Sequence, residues 1–199
     1  MESIFEALGA LQGQDAVRTL SRSLGTDEQA TGGAVAAALP VLIGALSRNA
    51  STREGSEALS SALGRHDGGI LGNLMGALGG GASQDGSAIL GHLLGARRGS
   101  VETQLGRSTG LDAASVSQLL ATLAPLVLGA LGNAQRKQGL DAAGLERALG
   151  QERDRVASAA PEAMSTFERL LDSDGDGQIG DDVARLGGQL LGSLFGGRR

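Results

Sequence analysis

The chain has 199 residues with 34 glycines, 2% aromatic residues, no Cys, Trp or Tyr, and 17 Lys plus Arg against 22 Asp plus Glu, a formal net charge of -5. That length can bury a core as one large or two small domains without disulfides, and the missing cysteines exclude disulfides, thiolate nucleophiles and cysteine metal sites. Five of the acids, Asp172, Asp174, Asp176, Asp181 and Asp182, are clustered, and without them the charges balance, which argues against the basic surface that a non-specific nucleic-acid binder needs.

The opening MESIFEALGALQGQ carries acids where an export signal would be basic, so no cleaved signal is expected and the cytoplasm is the expected location. Ala34 to Leu46 and Leu119 to Leu131 are the longest apolar stretches. At about thirteen residues they fall short of the roughly 20 that a membrane span requires, so buried helices are expected.

Leu20 to Leu46 aligns without a gap on Leu105 to Leu131, an offset of 85, with ten identities in 27 positions. The pairs include Arg22/Arg107, Gly25/Gly110, Asp27/Asp112, Pro40/Pro125 and Gly44/Gly129. Paired prolines and paired Gly-x-Asp turns point to duplication rather than to chance matches of Ala and Leu. Each copy predicts a short helix stopped by glycine, a cap, and a long apolar helix that its proline kinks or divides. Thr26 with Gln29 predicts a capping box in the first copy, and Asp112 is the expected cap in the second. In the second copy Val116, Leu119, Leu120, Leu123, Val127, Ala130 and Leu131 keep the spacing of one helix face. A third helix is expected each time, begun by a Ser51/Glu54 capping box in the first copy and by Asp141 in the second, the latter ending at Gly150.

Between the copies, Gly72, Gly76 and Gly80 recur every four residues, as do Gly91 and Gly95; Gly188, Gly192 and Gly196 repeat the pattern near the end. Glycines at that spacing line one helix stripe and let helices approach closely, either inside the protein or between subunits of a homo-oligomer. His66, beside Asp67, and His92 are the only histidines. His66 is expected as a polar group at a helix end and His92 in the core. With no G-x-S-x-G elbow, no HExxH and no P-loop lysine, no catalytic residue and no enzyme activity are expected.

From Asp172 the chain reads D-S-D-G-D-G-Q-I-G-D-D. Calcium is a hard cation that takes six to eight oxygens, and an EF-hand loop supplies carboxylates at positions 1, 3 and 5, a glycine at 6 for the sharp turn and a backbone carbonyl at 7. Asp172, Asp174, Asp176, Gly177 and Gln178 match those positions, and Ile179 at 8 suits a core anchor. The loop departs from the pattern at 12, where Val183 replaces the bidentate Glu; Asp181 and Asp182 stand at 10 and 11. Closure by Asp182 in a shorter loop, or a shell completed by water, are both open. The expected metal ligands are therefore Asp172, Asp174, Asp176, Gln178, Asp181 and Asp182, around one Ca2+.

The segments HDGGILGNLMGAL, GSAILGHLLG and RSTGLDAASVSQLLATLAPLVLGAL resemble the YidB-like bacterial family, domain of unknown function 937. The resemblance covers roughly residues 1 to 135 and implies an all-helical fold, homeodomain-like in part, with no established activity or catalytic residues.

The reading is thus all-α: a compact bundle of short, glycine-rich helices with an internal duplication over about 16–64 and 101–150. Residues 1–135 form the YidB-like domain, and 136–199 a helical extension with the EF-hand-like loop at 172–183. The expected function is non-enzymatic calcium binding by a binding or self-association module. A DNA-associated homeodomain-like module is the alternative, although helix Ala113 to Leu131 offers only Gln118 of the residue types a recognition helix concentrates. Peripheral membrane association through glycine-rich helices is a third. Arg97/Arg98, Arg136/Lys137 and Arg198/Arg199 are expected as solvated helix ends.

Overall fold

A computed structural model of the protein describes residues 8–65, 84–159 and 161. Among the described residues the fold is all-α and contains no strand. A short 3-10 turn, Leu8–Gln12, leads into seven α-helices: α1 Gln14–Leu24, α2 Glu28–Asn49, α3 Arg53–Arg65, α4 Gln84–Leu94, α5 Arg98–Thr109, α6 Ala113–Gln138 and α7 Ala142–Ala159.

The duplicated punctuation positions the helices. α1 stops at Gly25 (φ 67°) and α5 at Gly110 (φ 76°), left-handed conformations that glycine adopts without strain. The next helix then starts at Glu28 in one copy and at Ala113 in the other, again 85 residues apart. Asp27 caps α2, its Oδ1 accepting from the Gln29 and Ala30 amides at 2.8 and 3.0 Å. This corrects the Thr26–Gln29 box: Asp27 stands one residue nearer the orphan amides, while Thr26 Oγ1 pairs with Thr31 Oγ1 at 2.8 Å. Asp112 caps α6 as expected, accepting from the Ser115 amide at 2.9 Å and the Ser115 hydroxyl at 2.7 Å. Thr52, not Ser51, supplies the side-chain acceptor at the start of α3, to the Gly55 amide. The Ser51 hydroxyl instead donates to the Arg48 carbonyl at the end of α2. Asp141 caps α7 through the Gly144 amide at 2.7 Å. That helix runs past Gly150, because Leu149, Glu152 and Val156 continue a buried stripe at helical spacing.

α2 and α6, at 22 and 26 residues, are the long apolar helices expected in each copy, and neither proline divides its helix. They are buried nearly all round in their apolar halves, from Ala38 to Ser47 and from Leu119 to Ala124, which makes them the central pair. Leu39, Leu42, Ile43 and Leu46 meet Leu119, Leu120, Leu123 and Leu131 in one continuous core, joined by Leu90 of α4, Val101 of α5 and Leu145, Leu149 and Val156 of α7. α1 and α5 pack on α2, α4 packs chiefly on α6, and α7 lies across α2 and α3.

By length and composition α2 and α6 are also long and apolar enough to cross a membrane, although their uninterrupted apolar sequence is shorter. In the fold 72% and 78% of their apolar windows are buried against protein. Core helices pass the same test, so this is weak evidence for a span.

Candidate functional site

The sequence-derived metal ligands Asp172, Asp174, Asp176, Gln178, Asp181 and Asp182 lie outside the described residues, as do His66, Asp67, Gly72, Gly76, Gly80, Gly188, Gly192 and Gly196. Among the described residues no three His, Asp or Glu side chains converge as metal ligands would. Their acids are used differently. Asp27, Asp112 and Asp141 each cap a helix, and Glu102 pairs with Arg98 at 2.7 Å.

His92 is exposed near the end of α4, not in the core as expected. Leu90, Leu93 and Leu94 take the inward positions of that turn and leave His92 on the outer face. The Gly91–Gly95 stripe is broken too: α4 ends at Leu94, and Gly95 turns the chain with φ 54°. Arg136 and Lys137 are exposed in the last turn of α6. Arg98 is no free helix end: besides Glu102 it reaches the Ser117 hydroxyl at 2.9 Å and the Ser87 carbonyl at 3.3 Å, tying α4, α5 and α6 together.

A groove of about 450 Å³ opens where the start of α2 meets the end of α5, lined by Asp27, Gln29, Ala30, Gly33, Ala37, Ser108 and Thr109. Its one charged group is the carboxylate already engaged in capping α2.

The second feature was not legible in sequence. Asn49, the last residue of α2, donates from Nδ2 to the Ala45 carbonyl at 2.8 Å and across to the Leu93 carbonyl at 3.0 Å. The C-terminal ends of α2 and α4 are thereby pinned together, and the left-handed turn at Gly95 follows at once. Arg48 sits at this junction, partly buried, with its Nη1 closed off from water and without a hydrogen-bond partner. Burial, followed by the nearby Arg97 charge, holds its pKa below the usual arginine value.

A model of a bacterial protein family of unknown function, DUF937, matches residues 6–134. The chain belongs to that family. The match runs from the first turn through α6 as far as Ala134, so it takes in both long helices and the Arg48 junction and stops short of the acidic loop. No curated protein and no solved structure matches the chain.

Proposed function

We propose that this DUF937 protein is a non-catalytic helical scaffold of the bacterial cytoplasm that binds one calcium ion through its C-terminal segment. Asp172, Asp174, Asp176, the Gln178 carbonyl, and Asp181 or Asp182 supply the oxygens. The observation that carries this reading is the D-x-D-x-D-G-x-I order itself. Alternate carboxylates followed by a glycine and an apolar anchor are the arrangement a calcium loop requires. Five carboxylates within eleven residues also repel one another, so the ion stabilises the segment most where its charge is greatest. Action is by binding, with the ion fixing the helical extension, rather than by turnover.

Calorimetric titration of the full chain with calcium and with magnesium tests this, beside the Asp172→Ala/Asp174→Ala double variant. The wild type is expected to take up one calcium per chain with a heat that the variant lacks. Equal heats from the two proteins overturn the calcium site.

A further inference from the structure

Residues 187–199, outside the described residues, repeat the sequence of α4 and the turn after it. Gly86 to Arg98 aligns without a gap on Gly187 to Arg199, an offset of 101, with seven identities in 13 positions. In a chain rich in Gly and Leu such matches arise by chance, but chance does not sort them by burial. α4 buries Gly86, Leu90, Leu93 and Leu94, and these correspond to Gly187, Leu191, Leu194 and Phe195. Five of the six differences fall where α4 is exposed or half-buried. What is repeated is therefore a packing face at helical spacing, three large apolar side chains and one glycine that lets two backbones meet.

α4 uses that face on α6, with Gly86 against the carbonyl of Ala121 that Pro125 leaves without an amide. That seat is taken. Its counterpart α2 has the same Ala-x-x-x-Pro order at Ala36 and Pro40, but Ala36 is exposed where Ala121 is buried. Next to Ala36 on the helix, the groove of about 450 Å³ between α2 and α5 is floored by the small residues Ala30, Gly33 and Ala37 and walled by Ser108 and Thr109. A β-carbon built at Gly33 meets nothing within 4 Å, so the floor is open. Charge matches as well: Asp27 lines the groove with Glu28 beside it in sequence, and the repeated segment carries Arg198 and Arg199. The 27 residues between Ala159 and Gly187 can span up to about 90 Å, ample for the segment to reach α2, on which α7 already packs.

We propose that the groove between α2 and α5 is the docking seat of residues 187–199 of the same chain. The segment lies there as a second α4, its face of Gly187, Leu191, Leu194 and Phe195 turned onto Gly33, Ala36 and Ala37. The contact is a helix laid in a groove, and it gives the segment beyond the acidic loop a defined place on the bundle.

The chain has no cysteine, so a single introduced thiol reports on the seat. Ser108→Cys puts one on the groove wall with little change of shape, and Ser61→Cys on α3 is an exposed control. Reaction with a maleimide is timed in the full chain without calcium and at saturating calcium, so that failure of the ion site and failure of the seat are read apart. In at least one condition the Ser108→Cys thiol is expected to react at least tenfold more slowly than the Ser61→Cys thiol. Adding Leu191→Asp/Leu194→Asp, or separately Gly187→Leu, should bring the two rates within about twofold while circular dichroism shows the bundle still folded. Ser193→Asp, which corresponds to the exposed His92, should leave the protection in place. Equal rates in both conditions overturn the seat. Protection that survives Leu191→Asp/Leu194→Asp assigns the groove to another segment, and protection lost on dilution assigns it to a second copy; either result overturns the proposal.

Discussion

Gly86 of α4 lies against the carbonyl of Ala121 in α6, and Pro125, four residues on, has no N–H to offer that carbonyl. A β-carbon built at Gly86 would overlap the Ala121 backbone, so the two helices cross at a point where no side chain fits. The proline therefore leaves α6 whole and exposes one backbone oxygen at the closest approach of its main packing partner. In the first copy Pro40 leaves the carbonyl of Ala36 in the same state, but Ala36 is exposed and water can serve it. Gly86→Ala is expected to destabilise the protein by about 1–3 kcal/mol, the usual cost of overpacking, because backbone and not a movable side chain stands in the way. Gly91→Ala on the same helix meets open space and has ordinary helical φ, so it should stabilise by up to about 1 kcal/mol. Urea unfolding of both variants, followed by circular dichroism, checks the opposite signs.

The parts of this fold that sequence reveals are those governed by residues close along the chain. Gly25 and Gly110 mark helix ends because a left-handed residue is needed there, and Asp112 and Asp141 mark helix starts because their carboxylates bond amides three residues on. The 85-residue offset then places the long helices. What sequence conceals depends on contacts between distant segments. Gly86 falls outside the four-residue glycine pattern, and its role exists only because Ala121 comes to meet it. His92 looks like core in a run of apolar residues, yet the helix turns it outward. Arg48 reads as one more polar residue at a helix end, and its lack of a partner appears only when Asn49 reaches Leu93. The acidic loop is the reverse case, since the site proposed there rests entirely on its local order of residues.

Asp112 gives a pH dependence of definite sign. The Ser115 amide and hydroxyl hold its carboxyl below the ordinary value, through hydrogen bonds made to the charged form. A carboxyl depressed in the folded state contributes stability that is fully present above its unfolded pKa, about 3.9, and is lost as pH falls through its lower folded value. Asp112→Asn, which keeps an acceptor but carries no charge, should therefore lower the melting temperature at pH 7. The gap from wild type should shrink on acidification below about pH 4. Thermal melts at pH 7, 5 and 3 measure it, and a gap that is constant across the three would refute the assignment.

Removal of metal gives a separate expectation. Chelation should lower the melting temperature of the wild-type chain and leave that of Asp172→Ala/Asp174→Ala unmoved, because an ion that binds only the folded form stabilises it by an amount that grows with the logarithm of its free concentration relative to its dissociation constant. The Gly86 and Asp112 variants should keep the full chelator effect, since their defects lie in the bundle. Differential scanning calorimetry with and without chelator distinguishes these cases.

The two copies solve one packing problem with different chemistry. Where the first copy has Thr26 and Thr31, the second has Leu111 and Val116 at the same offset of 85. Thr31 is fully buried; its hydroxyl donates to the Asp27 carbonyl at 2.7 Å and pairs with that of Thr26 at 2.8 Å. Val116 and Leu111 are likewise buried, with no polar atom to satisfy. Thr31→Val alone removes one member of the hydroxyl pair and leaves Thr26 half-buried without it, at a cost of about 1–3 kcal/mol. Thr26→Leu/Thr31→Val recreates the apolar pair that the second copy already accommodates. The double variant should thus be more stable than the sum of the single effects allows, with a coupling of at least about 0.5 kcal/mol. A double-mutant cycle in urea measures that coupling; strict additivity would mean that the two copies do not share one packing geometry at their caps.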